Sequence, residues 1–371
     1  MCVTDSLIQL MRYLFIGILI TTLLLSSASA DFGLEVKLSG SVTNNLISDS
    51  SEIYDSYSTT STSLRYYPFP QIELNLKSEY NYYSNLVGLG NFMGGAELTW
   101  IPTSQSSPLA LYFNAGYDNR SYRESFSVYN TNIYNGMGSI SYRLAKNARV
   151  RAGITYEQTE FDNSAGADKE ILGFLVGTNF TFLGSNSLDI ESGYSYADFI
   201  SIDEASIMSW PQVIEEVDGD LKSFYISPRY SRPLGRKLGM NLTYTYLSFV
   251  DFEDPIVYSY STGFLSPWAS VWDGNSITLN LKSYHVPKMI ITAGGGYWNK
   301  RLLRTLELPD RIVTRKDDYS RYYVGLSWPM PSRSGTYLEP SIQFDIINNT
   351  SIDRLYDYST FSVVVGLTFR R

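Results

Sequence analysis

The chain has 371 residues with a formal net charge of −8; it is 18% charged and 15% aromatic, with 31 Tyr and a single Cys. The acidic balance argues against a nucleic-acid partner, which would need a basic surface, and Cys2 alone provides neither a disulfide nor a cysteine metal site. Beyond residue 30, no stretch approaches the ~20 apolar residues that a membrane-spanning helix needs.

The N-terminal segment has the features of a secretory signal. Residues 13–25 form an apolar run that follows Arg12 and precedes the small residues 26–30. This pattern predicts a signal peptide over residues 1–30 with cleavage after Ala30, and Met11 as an alternative start. The remaining residues 31–371 are predicted to form a single domain.

Short segments with a two-residue period follow, in place of helical patterns. At 71–82, 188–196, 238–246 and 277–282, apolar or aromatic residues alternate with polar ones. Strand spacing collects the charges of such a segment on one face, whereas helical spacing would scatter them. The pattern predicts about sixteen strands, within about two either way. They lie near residues 32–43, 55–66, 71–83, 91–101, 108–118, 132–145, 148–159, 169–183, 187–198, 219–231, 237–249, 274–285, 288–299, 318–329, 336–347 and 356–370.

The connections between these strands alternate in length. Tight links such as 146–147 and 233–236 follow even-numbered strands, and longer polar links such as 160–168 follow odd-numbered ones. Outer-membrane barrels combine short periplasmic turns with longer outer loops. The sequence therefore predicts an all-β fold, a transmembrane antiparallel up-and-down β-barrel with both termini on the periplasmic side.

Aromatic residues are predicted at or near many strand ends, where Tyr and Trp form the belts of membrane proteins. Aromatics are also enriched in strands generally, so their position carries the argument. The residues are Tyr66, Trp100, Tyr142, Tyr156, Phe182, Tyr196, Tyr230, Tyr246, Tyr284, Trp328 and Phe369.

The mature chain resembles the Gram-negative outer-membrane β-barrels of the porin-like kind. The resemblance is architectural, and its one motif is the C-terminal insertion signal, which Gly366 and Phe369 match. Arg371 stands where that family usually ends in an aromatic. In size the chain is similar to simple porins and to the barrels associated with exopolysaccharide export.

The alternation places charged residues of both signs on one face, which in a barrel of this size would line an aqueous lumen. Rings of one sign would bias ion selectivity; alternatively, the charges pair across strands and only hydrate the wall. Arg143, Arg149 and Arg151 form the best candidate for an anion-attracting patch. The candidate pore-lining residues are Lys77, Glu79, Glu97, Arg143, Arg149, Arg151, Asp189, Glu191, Arg229 and Lys282.

The predicted loop 250–273 is aromatic and could bind sugars or apolar solutes, or fold inward; alternatively it extends a hairpin above the membrane. The acidic loop 199–218 could bind divalent cations that bridge lipopolysaccharide, and the basic loop 300–317 could contact its phosphates. Neither has the ligand spacing of a calcium loop. The candidate binding residues of the aromatic loop are Tyr258, Tyr260, Phe264, Trp268 and Trp272.

Enzymatic function is not favoured. His285, the only histidine, is predicted beside a periplasmic turn, whereas barrel hydrolases work at the outer side and rely on a histidine base. No catalytic residue, metal site or cofactor is predicted.

The sequence favours an outer-membrane pore for passive diffusion of small hydrophilic solutes. Alternatives are a conduit for polysaccharide export and a closed structural or adhesive barrel. The expected partners are outer-membrane lipids and lipopolysaccharide, the barrel-assembly machinery and, for export, periplasmic components.

Overall fold

The computed structural model describes residues 31–45, 54–104, 107–162, 168–182, 185–199, 219–252, 272–308, 311–331 and 335–371, and these form one antiparallel sheet. The signal peptide predicted over residues 1–30 lies outside them. The first eight strands are β1 (Asp31–Thr43), β2 (Asp55–Phe69), β3 (Ile72–Tyr83), β4 (Asn91–Trp100), β5 (Leu109–Tyr122), β6 (Thr131–Ala145), β7 (Ala148–Phe161) and β8 (Lys169–Phe182). The others are β9 (Asn186–Phe199), β10 (Gly219–Pro233), β11 (Leu238–Phe252), β12 (Trp272–Ser283), β13 (Ile290–Leu308), β14 (Arg311–Ser327), β15 (Met330–Pro331), β16 (Tyr337–Ser351) and β17 (Tyr358–Arg370).

The sheet closes on itself. Each long strand pairs with its neighbours in sequence, and β1 pairs with both β2 and β17. The two-residue β15 pairs with the start of β16, which also pairs with β14. The result is a closed sixteen-strand antiparallel up-and-down barrel, which confirms the predicted fold class and strand number. No helix in the described part of the chain is long and apolar enough to cross a membrane.

The two ends of the barrel differ in their connections. We call the end that carries the links 70–71, 146–147 and 234–237 the turn end. The opposite end, where β1 leads into β2 and β9 into β10, is the loop end. Because the strand number is even, β1 begins and β17 ends at the turn end.

One predicted loop is wrong. Residues 300–317 do not form a loop, because β13 continues to Leu308 and β14 begins at Arg311. Their pairing runs with one irregularity from Arg301↔Lys316 to Leu308↔Arg311. This hairpin extends beyond the neighbouring strands at the loop end. Its buried residues include both Leu302 and the ion pair of Arg315 with Asp317. Charged residues are therefore not confined to exposed positions there, and the periodicity that marks the other strands is weak.

The last residues close the barrel against the first strand. Val36 pairs with Phe369, and the backbone N–H groups of Leu34 and Arg371 each donate to the other residue's carbonyl, at 2.8 and 2.9 Å. Arg371 therefore extends the closing ladder through its backbone, which requires no aromatic side chain.

A buried carboxylate ties two strands together at the loop end. Asp55 has no solvent exposure, although it is charged at neutral pH, because its oxygens accept four hydrogen bonds. The donors are Ser56 N at 2.7 Å, Ser84 Oγ at 2.6 Å, Asn85 N at 3.0 Å and Leu86 N at 3.1 Å.

We expect Asp55→Asn to destabilise the connection between β3 and β4 by about 1–3 kcal/mol, because the amide group turns two donors toward backbone N–H groups. Hydrogen–deuterium exchange of residues 84–90 in the refolded barrel should become faster. Asp357→Asn, a change at an exposed loop-end residue, is the matched control. Equal exchange in the two variants would contradict this role of Asp55.

Candidate functional site: the concave wall

The two faces of the sheet differ in composition. Side chains on the inner face of a closed barrel converge and shield one another, whereas those on the outer face diverge. The large exposed apolar side chains, such as Val176, Ile277 and Val324, occupy one face. Most buried polar residues of the strands occupy the other face, which is therefore the concave one; Asp273, beside Arg301 on the convex face, is an exception. The concave residues are Ser41, Thr43, Asn91, Thr131, Thr159, Ser276, Asp317, Asp345, Asn349 and Thr360.

The registers place all ten candidate pore-lining residues on the concave face. Their role in lining a pore remains a prediction. The predicted belt residues that lie within strands occupy the convex face, for example Tyr66, Trp100 and Tyr246, and Phe182 stacks on Tyr230 with 6.4 Å between ring centres. Tyr284 and Trp328 lie in connections at the turn end.

The first charged group on the concave wall joins β3, β4 and β5. Lys77 Nζ lies 3.0 Å from Glu97 and 3.9 Å from Asp118, and Asn114 Nδ2 donates to Glu97 at 2.7 Å. Gly95 makes room for this group, since a Cβ there would lie 1.9 Å from an oxygen of Asp118. Lys77 and Glu97 thus neutralise each other. Glu79, on the same strand as Lys77, accepts a hydrogen bond from Asn81 at 2.8 Å.

The second group joins β7 to β9 across β8. Arg151 Nη2 lies 3.0 Å from Asp189 Oδ1 and 2.7 Å from Glu191 Oε2. The side chain crosses over Gly177, where a Cβ would lie 2.8 Å from Arg151 Nε. Tyr225 on β10 donates its hydroxyl to Glu191 at 2.8 Å. Arg151 is therefore bound to two carboxylates, and the prediction that it belongs to an anion-attracting patch with Arg143 and Arg149 is wrong.

Two more groups lie elsewhere on the wall. Arg321 on β14 donates from Nε at 2.9 Å and from Nη2 at 2.6 Å to the same oxygen of Asp345 on β16. At the seam, Arg370 lies 2.5 Å from Glu35, which also lies 2.6 Å from Lys37. Cross-strand pairing of wall charges, the alternative considered from the sequence, therefore holds for most candidate acids.

Four of the candidate pore-lining cations differ from these. Arg143, Arg149, Arg229 and Lys282 form no ion pair with any carboxylate in the part of the chain that the structure describes. Arg143 and Arg149 are directly opposite each other on β6 and β7, and all four lie toward the turn end of their strands. We call them the free cations. They give the turn end of the concave wall a local positive charge.

The predicted loop-binding residues have different outcomes. Tyr258, Tyr260, Phe264 and Trp268 lie outside the described residues, as does most of the acidic loop 199–218. Trp272 is not a loop residue. It begins β12, and Lys300 Nζ lies 5.5 Å from the centre of its ring.

Several aromatic residues of the concave face are not among the site residues predicted from the sequence, namely Tyr225, Trp298, Tyr319 and Tyr323. Each of Tyr225, Trp298 and Tyr323 lies over a glycine. A glycine near an aromatic residue in the sequence can indicate that the ring packs over the glycine. When the glycine lies on the neighbouring strand, however, the pair can be recognised only once the register is known.

His285 lies in the turn-end connection 284–289, where its Nδ1 is 2.9 Å from Ser283 Oγ. Within the described ranges, no cluster of three or more His, Cys, Asp or Glu residues could hold a metal ion. The structure therefore offers His285 one hydroxyl neighbour and no carboxylate at ion-pair distance among those residues.

Solved structures of similar architecture include a porin and an outer-membrane protein. A BenF-like porin from Pseudomonas fluorescens is 8% identical with a TM-score of 0.51, over 92% of this chain and 99% of that one. This chain has a porin fold. The Pseudomonas aeruginosa outer membrane protein OpdK is 11% identical and Acinetobacter baumannii OccAB3 10%, both with TM-score 0.48 and covering 92% of this chain and 99% of theirs. No family model matches the sequence, and no curated protein matches it.

Proposed function

We propose that this chain is an outer-membrane channel for passive diffusion of small hydrophilic solutes, with a preference for anions. The observation that carries the proposal is the closed sixteen-strand barrel with an apolar convex face and a charged concave face. Barrels of this strand number have room for an aqueous channel. The turn end would face the periplasm, as in bacterial barrels generally.

The preference for anions rests on the free cations. Most concave carboxylates are bound to Lys or Arg, and the groups around Lys77 and Arg151 each keep one negative charge, because each cation has two acids. Arg143, Arg149, Arg229 and Lys282 form no ion pair with a described carboxylate and lie together toward the turn end. Fixed positive charge along a water-filled passage raises the local anion concentration.

The test is the reversal potential of single channels in a planar bilayer with a KCl gradient. We expect the wild type to favour chloride, and the variant with all four free cations changed to Gln to lose that preference. Lys316→Gln removes one positive charge from the convex face of β14 and should leave the potential unchanged. A wild-type preference for potassium would contradict the role of the free cations, and a folded barrel that never conducts would contradict the channel.

An outer-membrane location would also give this chain three kinds of partner: lipids, lipopolysaccharide and the barrel-assembly machinery. Outer-membrane lipids would contact the convex face. The phosphates of lipopolysaccharide would bind Lys316 at the loop end and, more weakly, Arg301, which is already paired with Asp273. Assembly by the barrel-assembly machinery follows from the proposed location.

A further inference from the structure

We propose that the concave wall of β12–β14 carries a saccharide-binding strip, formed by Trp272, Trp298, Tyr319 and Tyr323. This inference rests on the proposed channel function and adds a solute class to it. We call these four residues the aromatic strip.

The aromatic strip is continuous along the wall. Trp298 on β13 is directly opposite Tyr319 on β14, and their rings meet edge to face with 5.2 Å between centres. Trp272 lies above them at the loop end of β12, and Lys300 connects it to Tyr319, with Nζ 5.5 Å from the first ring and 4.4 Å from the second. Tyr323 lies two concave positions below Tyr319 on β14, about 13 Å along the strand.

Glycines hold two of the rings flat against the wall. A Cβ on Gly296 would lie 2.4 Å from Trp298 Cη2, and a Cβ on Gly294 would lie 2.6 Å from Tyr323 Cε1. Each of these two rings therefore rests with one face on backbone of the concave wall, and each side chain is only half-buried. The Tyr323 hydroxyl donates to Asn280 Oδ1 at 2.7 Å, which fixes the position of that ring.

Polar groups flank these rings. The Arg321 guanidinium lies between Tyr319 and Tyr323 along β14, 5.9 Å from the centre of the Tyr323 ring, and its side chain is 45% exposed. Asp345, which Arg321 contacts, also accepts a hydrogen bond from Gln343 at 2.7 Å. Because Asp345 balances the charge of Arg321, the Tyr323 end of the aromatic strip offers directed hydrogen bonds without a strong net field.

This combination matches a sugar ring. A pyranose has an apolar C–H face that stacks on an aromatic ring and a rim of hydroxyl groups that bind planar polar side chains. An aromatic carboxylate would stack equally well and would favour the loop end of the strip, where Lys300 lies over Trp272 and Tyr319 without an ion pair to a described carboxylate. At Tyr323 it would meet Arg321, whose charge Asp345 already balances, so a neutral saccharide fits that end better. Rings spaced along the wall allow a saccharide to move from one contact to the next, so we expect weak binding that does not stop transport.

The test uses maltotetraose as a neutral saccharide and sodium benzoate as an aromatic anion. Both are added to the refolded full chain, in single-channel recordings and in isothermal titration calorimetry in detergent. We expect maltotetraose to interrupt the ion current and to give a saturable heat. Trp298→Leu and Tyr323→Leu should each weaken binding by about fivefold, the equivalent of one aromatic contact. Tyr323→Phe, which keeps the ring, should weaken it less.

Tyr322→Leu is the matched control, because Tyr322 lies over Gly295 on the convex face of the same strand. Tyr322→Leu also removes an aromatic ring that packs over a glycine, so it has the same kind of effect on stability as Tyr323→Leu, but it leaves the concave wall unchanged. If Tyr322→Leu and Tyr323→Leu weaken maltotetraose binding equally, the aromatic strip is not a saccharide-binding site.

The two proposals fail separately. An open channel that maltotetraose neither blocks nor binds, or that only benzoate blocks, overturns the saccharide strip and leaves the channel. A barrel that never conducts but binds maltotetraose in calorimetry, with loss in Tyr323→Leu, overturns passive diffusion and supports the strip.

Discussion

Val176→Arg is expected to lower the free energy of unfolding in a phospholipid bilayer by about 2–4 kcal/mol, the cost of Arg on the lipid face near the midplane of a barrel. Val176 lies in the middle of β8, is 60% exposed and points from the convex face. A groove of about 400 Å³ on the same face, across β2–β5, is lined mainly by apolar side chains such as Leu76 and Leu98. In hydrocarbon, the guanidinium would lose its hydration without gaining a partner.

The control for this prediction is the adjacent residue. Leu175 has the opposite orientation, toward Gly153 and Gly193 across the concave face. Leu175→Arg would place the same group beside a water-filled lumen and should cost less than about 1 kcal/mol. Reversible urea unfolding in vesicles measures both values. If the two variants lose equal stability, the assignment of the lipid face is wrong.

The second large effect is expected at Arg151. Arg151→Met removes the shared partner of Asp189 and Glu191 and leaves two carboxylates close together on the concave wall. The channel should shift toward cations in the reversal-potential measurement, and the free energy of unfolding should fall by about 1–2 kcal/mol, because the group is partly exposed and water screens it.

Two further variants separate charge from structure. Arg151→Met combined with Glu191→Gln has the same net charge of −1 as the wild-type group of Arg151, Asp189 and Glu191, and should restore selectivity toward that of the wild type. Arg229→Met removes a cation that no described carboxylate contacts, so it should change selectivity with little loss of stability. A loss of stability in Arg229→Met as large as in Arg151→Met would mean that pairing does not stabilise the wall.

Local patterns predicted most of the strands because each strand carries its own evidence. In β3, Leu74 and Leu76 alternate with Glu73 and Asn75, and a two-residue period is sufficient to assign a strand and its faces. The same reasoning failed for residues 300–317, where the hairpin of β13 and β14 extends beyond its neighbouring strands and buries the ion pair of Arg315 with Asp317. It also left Trp272 in a loop, although the residue begins β12.

The sequence by itself determined that the chain forms about sixteen amphipathic strands, and which side chains share a face, because both follow from the spacing of residues within one strand. Only the tertiary structure decided which charges neutralise one another. Arg151 reaches Asp189 and Glu191 two strands away because Gly177 lies between them in register, while Arg149, on the same strand, finds no such partner among the described residues. The aromatic strip has the same origin, since Trp298 and Tyr323 acquire their flat orientation from Gly296 and Gly294. Register is set by the pairing of all strands around the closed barrel, and no single segment contains that information.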